Sequence, residues 1–187
     1  MLGYFLAKLA NRGTMDEITL LDEDGTMIGA RAKHLVHTDR TPLHLGFSCH
    51  LRDGDGRFLV TRRSLDKQTW AGVWTNSFCG HPRPGEPIES AVHRRAAEEL
   101  GTTIADLRLV LPGYRYRAVD AGGVVENEIC PVHVARIDGS LRPEPTEVAE
   151  WSWIDAERLV SAVADAPFAF SPWMREQLTL LRELGEV

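Results

Sequence analysis

The stretch GHPRPGEPIESAVHRRAAEELG, residues 80–101, carries more information about the fold than any other part of the sequence. Apolar residues recur in it at helical spacing, at Ile88, Ala91, Val92, Ala96 and Leu100. Pro87 suits the first turn of a helix, and Gly101 suits its C-terminal end. The pattern therefore predicts a loop followed by a helix over residues 88–100.

Segments typical of strands flank this helix on both sides. Alternating or short apolar runs predict strands over residues 17–21, 26–30, 43–51, 57–63, 107–111, 124–135 and 151–154. Two closing helices are predicted over residues 156–164 and 172–184. Strands interleaved with a few helices, including an early hairpin, indicate an α/β (α+β) fold with a mixed sheet.

Length and charge limit the class of protein. A chain of 187 residues fits one domain, which we expect over residues 15–187, with residues 1–14 as a flexible N-terminal extension. The formal net charge of -6 argues against a general nucleic-acid or membrane-surface role, because such partners usually meet a basic face. Arg62, Arg63 and Lys67 form a local basic cluster that could bind an anion. A monomer is the default expectation.

The cysteines indicate a reducing environment. Cys49, Cys79 and Cys130 are odd in number and lack C-x-x-C spacing, which predicts neither a disulfide framework nor a cysteine zinc site. No segment approaches the length of a membrane span. We therefore expect a cytoplasmic protein.

Glu126 and Glu128 are the first candidates for chemistry. Period-two geometry in the predicted strand 124–135 points both carboxylates to the face shared by Cys130 and Val132. Two acids in an otherwise apolar strand are costly unless a bound cation, or protonation of one of them, compensates. The alternative interpretation is a solvated strand end.

Histidines could complete a metal site with these acids. His37, His44 and His81 add nitrogen ligands to the two carboxylates, and this mixed set suits manganese or magnesium better than a thiolate-preferring metal. Spacing alone does not bring the five residues together. Cys79 and His81 share a face only if their backbone is extended, and each could equally be an ordinary buried or hydrogen-bonded residue.

The pattern in residues 80–101 resembles the Nudix box, a loop-helix-loop whose glutamates hold a diphosphate-bound metal. Gly80, Glu86 and the string Arg94-Arg95-Ala96-Ala97-Glu98-Glu99-Leu100-Gly101 carry the resemblance. The box usually has Arg-Glu where this chain has Arg94-Arg95, so a ligand carboxylate is replaced by a cation. This resemblance implies that a diphosphate is bound while its hydrolysis is impaired. An ordinary amphipathic helix with i,i+4 ion pairs would explain the charges but not Gly80 and Glu86.

A wider set of strings resembles type I isopentenyl diphosphate isomerase, a non-hydrolytic branch of the Nudix fold. The resemblance runs from about residue 17 to about residue 180. Its strings are His37-Thr38, Leu43-His44-Leu45, Thr61-Arg62-Arg63, Gly72-Val73-Trp74-Thr75-Asn76-Ser77, Cys79-Gly80-His81-Pro82, Tyr114-Arg115-Tyr116-Arg117-Ala118, Val125-Glu126-Asn127-Glu128 and Phe170-Ser171-Pro172-Trp173-Met174. The fold implied is a Nudix-like mixed β-sheet sandwiched between helices.

The resemblance also implies roles for individual residues. The implied metal ligands are His37, His44, His81, Glu126 and Glu128. The implied acid/base groups are Cys79 and Glu128, with Tyr116 hydrogen-bonded to the glutamate and Trp173 over the reacting carbons. The implied diphosphate-binding residues are Lys33, Arg63, Lys67 and Arg95, with Glu99 holding a magnesium ion that accompanies the diphosphate. Mn2+ or Mg2+, with Zn2+ as a further alternative, would occupy the His/Glu site.

The activity implied is metal-dependent isomerisation of isopentenyl diphosphate to dimethylallyl diphosphate through a tertiary carbocation. A thiol and a carboxyl on opposite sides of the five-carbon unit could deliver and collect the proton. The implied partner is thus a small prenyl diphosphate, without nucleic acid or membrane. One alternative is a Nudix-type diphosphate hydrolase, and another is a non-catalytic metal- or diphosphate-binding module.

Overall fold

The computed structural model describes residues 16–187, so the predicted extension over residues 1–14 lies outside the described residues. Twelve strands are formed in this part of the chain: β1 Glu17–Leu21, β2 Met27–Ala32, β3 His44–Leu45, β4 Phe47–Arg52, β5 Phe58–Arg63, β6 Trp74–Thr75, β7 Phe78–Gly80, β8 Ile104–Leu111, β9 Arg115–Val119, β10 Val125–Ile129, β11 Val132–Ile137 and β12 Val148–Ile154. The α-helices are α1 Ile88–Leu100, α2 Ala156–Asp165 and α3 Pro172–Glu183. None of these helices is long and apolar enough to cross a membrane.

The strands form two mixed sheets, which confirms the predicted α+β class with mixed pairing. The first sheet has the order β2-β1-β3-β10-β9, and its β3 and β10 are parallel. The second has the order β12-β5-β4-β11-β8, with β4 and β11 parallel, β6 paired to β5 and β7 paired to β4. The short strands β6 and β7, and the strand β9, were not predicted from the sequence.

Two predicted strands prove to be discontinuous, and both change sheet at the interruption. The run over 43–51 divides at Gly46 into β3 and β4, and the run over 124–135 divides at Cys130 and Pro131 into β10 and β11. Pro131 has no N–H to continue a ladder. The two segments run side by side through the break, because the Gly46 N–H donates to the Ile129 carbonyl and the Ser48 N–H donates to the Pro131 carbonyl. The prediction of two continuous strands was therefore wrong. The pairs β3–β4 and β10–β11 each connect the first sheet to the second.

Helix α1 begins and ends where its sequence predicts. Ala91, Val92, Ala96 and Leu100 are buried in a core that includes Phe47 and Phe78. The helix approaches β7 closely at Gly80, where a Cβ would lie 2.8 Å from Arg95 Cγ and 2.9 Å from Phe47 Cζ. This close contact brings Arg95 and Glu99 to the cavity described below.

Helix α3 packs across the second core with a defined N-terminus. The Ser171 hydroxyl accepts a hydrogen bond from Met174 N, and Pro172 occupies the first turn, where its missing N–H costs nothing. The buried face of the helix includes Trp173 and Gln177. The predicted bounds of α2 and α3 differ from the observed bounds by one residue at the C-terminal end.

Gly101→Ala should destabilise the protein, because Gly101 ends α1 with a φ of 59° and a Cβ there would lie 2.5 Å from the Arg142 carbonyl oxygen. The left-handed conformation alone should cost about 1–2 kcal/mol of unfolding free energy, and the backbone collision adds to it. Chemical denaturation monitored by circular dichroism measures the loss.

Gly54→Ala is the matched control, since a Cβ at Gly54 would meet no atom within 4 Å. It should change the unfolding free energy by less than about 0.5 kcal/mol. Equal effects of the two substitutions would contradict the account of Gly101.

Candidate functional site

A single cavity of about 300 Å³ gathers most of the residues singled out in the sequence. Those that line it are Lys33, His37, Arg63, Lys67, Cys79, His81, Arg95, Tyr116, Glu126, Glu128 and Trp173. The remaining two lie directly behind its wall, His44 against Glu128 and Glu99 against Arg95. The structure therefore brings together every candidate site residue, although Arg62 of the predicted basic cluster is elsewhere. Its side chain pairs with Glu150 at the surface, so its assignment to an anion site was wrong.

Three imidazoles and a carboxylate converge at one end of the cavity. Ligand atoms of His37, His44, His81 and Glu128 all lie within 4.8 Å of one another. The parallel register of β3 and β10 sets His44 beside Glu128, and Glu128 Oε1 lies 3.4 Å from His44 Nε2 and 3.1 Å from His81 Nε2. Gly46 is required beside them, because a Cβ at that position would collide with Glu128 Oε2.

The second acid, Glu126, joins this cluster through His37. Glu126 Oε2 lies 3.1 Å from His37 Nε2. The other oxygen of Glu126 accepts a hydrogen bond of 2.7 Å from the Thr69 hydroxyl, which fixes the direction of the carboxylate. The period-two prediction that Glu126 and Glu128 face one place is thus confirmed within β10.

The hydrogen bonds of the cluster leave lone pairs directed inward. The ring of His44 lies with Nδ1 3.0 Å from the Pro42 carbonyl, which can only accept, so Nδ1 carries the proton and Nε2 keeps a lone pair. Among the described residues, several buried atoms at this end have no hydrogen-bond partner: His37 Nε2, His44 Nε2, His81 Nδ1 and Glu126 Oε2. Unsatisfied nitrogen and carboxylate atoms facing one point fit a divalent cation.

The ionisation state of Glu128 also suits a bound divalent cation. Burial disfavours the carboxylate, but the adjacent imidazoles of His44 and His81, with His81 within hydrogen-bond distance, outweigh this and hold the pKa of Glu128 well below its usual range. Burial lowers the pKa of His81 to about 4, so its imidazole is neutral at pH 7. An ionised carboxylate and a neutral imidazole are the forms that bind metals.

Another part of the cavity, called the basic end, is rich in cations. Lys33, Arg63, Lys67 and Arg95 all contribute side chains to its wall. Burial, and then the charges of Arg95 and Lys67, lower the pKa of Lys33, which shows how closely the cations are crowded. Such a cluster suits a ligand with several negative charges.

Two carboxylates partly neutralise these cations. Glu99 accepts from Arg95 at 2.6 Å, and Glu147 pairs with both Lys67 and Arg95. Burial opposes the ionisation of Glu147, but the charges of Arg95 and Lys67 outweigh it and lower the pKa of Glu147 to about 2. Glu147 was not identified from the sequence, since it lies in a loop without periodic pattern.

The thiol of Cys79 and the indole of Trp173 line the same cavity. Burial raises the pKa of the Cys79 thiol to about 11, so the sulfur is protonated at neutral pH. The Trp173 side chain is buried, and the guanidinium of Arg63 lies over its ring at 5.5 Å. Trp70 packs edge-on against the same ring and holds a φ of 45°, a left-handed conformation that is unusual for a bulky residue.

Tyr116 stands opposite Glu128 in the ladder between β9 and β10. Its ring lies 5.6 Å from that of Trp173. Within the described residues its hydroxyl makes no hydrogen bond to Glu128, so the predicted contact between the phenol and the carboxylate stays a prediction.

Sequence reasoning missed the residues that hold the site in place. Asn76, Ser48 and Gln177 are fully buried and bond to Cys79, to Trp173 or to each other, and Thr69 bonds to Glu126. Asn76 and Ser48 are polar residues within largely apolar segments, and this was the signal that the sequence offered for them.

Comparison with known proteins agrees with the geometry. The NUDIX domain family matches residues 42–181. An isopentenyl-diphosphate Delta-isomerase from Leifsonia xyli subsp. xyli is 61% identical over 168 residues, covering 89% of this chain and 91% of that protein. One from Clavibacter sepedonicus is 58% identical over 164 residues, covering 88% and 86%.

Solved structures show the same fold at low sequence identity. The crystal structure of DR0079 from Deinococcus radiodurans superposes with a TM-score of 0.67 at 21% identity, covering 87% of this chain and 97% of that one. A MutT protein from Methanosarcina mazei Go1 gives 0.60 at 19% identity, covering 78% and 97%. The chain therefore belongs to the Nudix family and, within it, to the isopentenyl-diphosphate Delta-isomerases.

Proposed function

We propose that the protein isomerises isopentenyl diphosphate to dimethylallyl diphosphate, in isoprenoid biosynthesis, by adding and removing a proton at carbon. The observation that carries the proposal is one cavity that combines a thiol, an ionised carboxylate and an indole with a cluster of potential metal ligands and a cluster of cations. The relatives that share more than half of their sequence with this chain carry the name of that activity.

The basic end binds the diphosphate. Arg63, Lys67 and Arg95 offer guanidinium and ammonium donors that suit phosphate oxygens. Arg95 stands where a hydrolase of this family has a ligand carboxylate, and its side chain reaches the cavity wall. The substitution favours holding a diphosphate over cleaving it, which supports isomerisation over the alternative of a diphosphate hydrolase.

The proton transfers belong to Cys79 and Glu128. A proton adds to the terminal CH2 carbon of isopentenyl diphosphate, the positive charge forms at the tertiary carbon, and a proton leaves the carbon next to the CH2–O group. One of the two residues delivers the proton and the other collects it, and the reverse reaction exchanges the roles. In the unliganded protein the sulfur holds a proton and the carboxylate is ionised, so one donor and one acceptor are ready together.

The carbocation is stabilised by Trp173. An indole face attracts a positive charge without reacting with it, and this is worth about 2 kcal/mol or more when water is excluded. Water at the cation would yield an alcohol, so a dry wall is part of the chemistry. Tyr116 and Trp70 pack against the indole and complete an aromatic surface there.

Metal ions complete the site. We assign manganese or magnesium, with zinc as the alternative, to His37, His44, His81, Glu126 and Glu128, and magnesium to Glu99 together with the diphosphate. When bound, the first ion would set the orientation and ionisation of Glu128 and the second would neutralise diphosphate charge.

The cellular context follows from the same residues. We propose a reducing cytoplasm, since Cys49, Cys79 and Cys130 are all free thiols, and a monomer that acts on small prenyl diphosphates. Residues 15–187 are proposed as the functional domain.

The metal-loaded protein should convert isopentenyl diphosphate in deuterated water to dimethylallyl diphosphate that carries deuterium in a methyl group. Proton NMR of the carbon-bound hydrogens measures the product, and a phosphate assay on the same sample measures hydrolysis. Phosphate release without isomerisation would refute the proposal and indicate a diphosphate hydrolase.

Variants of the two acid/base groups test their assignment in the same assay. Cys79→Ala and Glu128→Gln should each abolish isomerisation while binding of the diphosphate is retained. Cys49→Ala, which removes a buried thiol outside the cavity wall, and Glu150→Gln, which removes a surface carboxylate, are the controls. Turnover near the wild-type rate in either active-site variant would refute the role of that residue.

Trp173→Ala should lower kcat by about 30-fold, the rate equivalent of a cation–π interaction of about 2 kcal/mol, with a smaller change in KM. Trp173→Phe keeps an aromatic face, so its kcat should fall less than that of Trp173→Ala. Steady-state kinetics separate kcat from KM. The control is Trp151→Ala on β12, where the indole is half-exposed. An unchanged kcat in Trp173→Ala would count against cation stabilisation.

Removal of metal should lower the melting temperature of the protein, because an ion bound only by the folded state stabilises it by about 2.7 kcal/mol at a hundred times its Kd. Elemental analysis after dialysis should find less metal in His44→Gln than in the wild type, and its melting temperature should no longer respond to a chelator. His93→Gln, at an exposed position of α1, is the control. Full metal content in His44→Gln would contradict the assigned ligand set.

A further inference from the structure

One buried side chain, Asn76, contacts both the thiol and the indole of the site without lining the cavity. Its Oδ1 accepts hydrogen bonds from Trp173 Nε1 at 3.1 Å and from Cys79 Sγ at 3.4 Å. The side chain is fully buried in the segment between β6 and β7. A single amide oxygen thus joins two groups that come from opposite parts of the chain.

The orientation of this amide is determined by its other end. Asn76 Nδ2 donates to the carbonyl oxygens of Cys49 at 3.1 Å and Phe78 at 2.8 Å. Both carbonyls can only accept, so a flipped amide would place oxygen against oxygen. The oxygen of Asn76 must therefore face Cys79 and Trp173.

The helix that carries Trp173 is attached to the same point. The Thr75 hydroxyl donates to Asn76 Oδ1 at 2.9 Å and lies 2.8 Å from the Ser171 hydroxyl, which caps α3. Ser171 N also donates to the Trp74 carbonyl. The N-terminus of α3 is therefore held against β6 beside Asn76.

Ser48 contacts the sulfur from another direction. Its hydroxyl lies 3.3 Å from Cys79 Sγ and accepts a hydrogen bond of 2.9 Å from Gln177 Nε2, whose amide oxygen lies 3.0 Å from His50 Nε2. Ser48, His50 and Gln177 are all buried. The sulfur is thus held between two polar groups, Asn76 Oδ1 and Ser48 Oγ.

We propose that Asn76 is a positioning residue that fixes the Cys79 thiol and the Trp173 indole relative to one another, and that Ser48 fixes the sulfur from the second side. The inference rests on the proposed isomerisation, in which the thiol exchanges a proton with the carbon skeleton while the indole faces the resulting cation. Neither Asn76 nor Ser48 gives up a proton of its own. Displacement of a reacting group by about 1 Å can cost about 100-fold in rate, which is why such a support matters.

Asn76→Ala should lower kcat by about 100-fold and leave KM within about twofold, because substrate binding depends on other residues. Ser48→Ala, which removes one contact to the sulfur, should lower kcat by about tenfold, the effect of about one hydrogen bond. Ser77→Ala is the matched control, since its equally buried hydroxyl bonds only to backbone groups, Leu51 N and the Leu59 carbonyl. It should lower the melting temperature and keep the wild-type kcat.

A double-mutant cycle separates positioning from loss of stability. Trp173→Phe removes the N–H that Asn76 holds, so Asn76→Ala should cost about tenfold less in kcat when phenylalanine is already present than in the wild type. Equal fold losses in the two backgrounds would overturn the proposal. If Asn76→Ala does not fold, the other variants replace it. A wild-type kcat in Ser48→Ala would refute the role of the Ser48–Cys79 contact, and a wild-type kcat in Trp173→Phe would refute the role of the Asn76–Trp173 contact.

Crystal structures of the wild type and of Ser48→Ala give a readout that does not require isomerase activity. The Cys79 sulfur should occupy one rotamer in the wild type and more than one in the variant. A single unchanged rotamer in the variant would overturn the proposal about Ser48 even if isomerisation is confirmed. Failure of isomerisation with the predicted change of rotamer would refute the proposed function alone.

Discussion

The buried carboxylate of Glu128 is the constraint on which the rest of the site depends. An ionised group that is only 5% exposed has lost nearly all its hydration, and this costs several kcal/mol unless charges and hydrogen bonds replace the water. His44 and His81 provide the nearest replacement, and the unsatisfied nitrogens around them leave room for a cation. The fold makes this possible by placing glycine at position 46, where a side chain would displace the carboxylate.

The surroundings of the Glu128 carboxylate also depend on the change of sheet at Gly46 and Pro131. If β3–β4 and β10–β11 were continuous, their side chains would alternate between two uniform faces. Interrupting both pairs at the same level places His44 beside Glu128 before the break. After it, Cys49, Leu51 and Ala135 join the core around Phe47. Residues of the His/Glu cluster and residues of the core therefore lie within a few positions of one another along the same segments.

How far the sequence could predict this structure depends on whether the signal is local. Helix α1 was predicted to the residue, because apolar spacing and Gly101 both belong to the helix itself. The interruptions at Gly46 and Pro131 were missed, because an alternating pattern continues through both and only pairing between distant segments shows that the sheet changes. Strand β9 was missed as well, since its pattern of exposed arginines around Tyr116 becomes informative only beside β10.

The site residues likewise divide into those that the sequence indicated and those that only the structure revealed. Resemblance to a family supplied the residues that would face the substrate, and the structure places them together. The supporting groups Asn76, Thr69 and Glu147 were recognised in the structure, because each acts through hydrogen bonds or charges between segments far apart in the chain. Arg62 shows the converse error, since three neighbouring basic residues need not face one ligand when strand alternation turns one of them to the opposite side.

Arg95 combines a signal within its own helix with a contact to a distant segment. It lies on α1 at a position where the Nudix box usually has an acid, and it contacts Glu99 and Glu147 at the cavity wall. Removing a carboxylate from that position takes away a ligand for a hydrolytic metal, and adding a guanidinium increases the positive charge that faces a diphosphate. We therefore expect the same replacement to weaken diphosphate hydrolysis and to strengthen the diphosphate binding that isomerisation needs. In the proposed reaction the diphosphate would stay at the basic end and its five-carbon unit would face the thiol, the carboxylate and the indole. Of these three groups, the thiol and the indole both donate to the buried amide oxygen of Asn76.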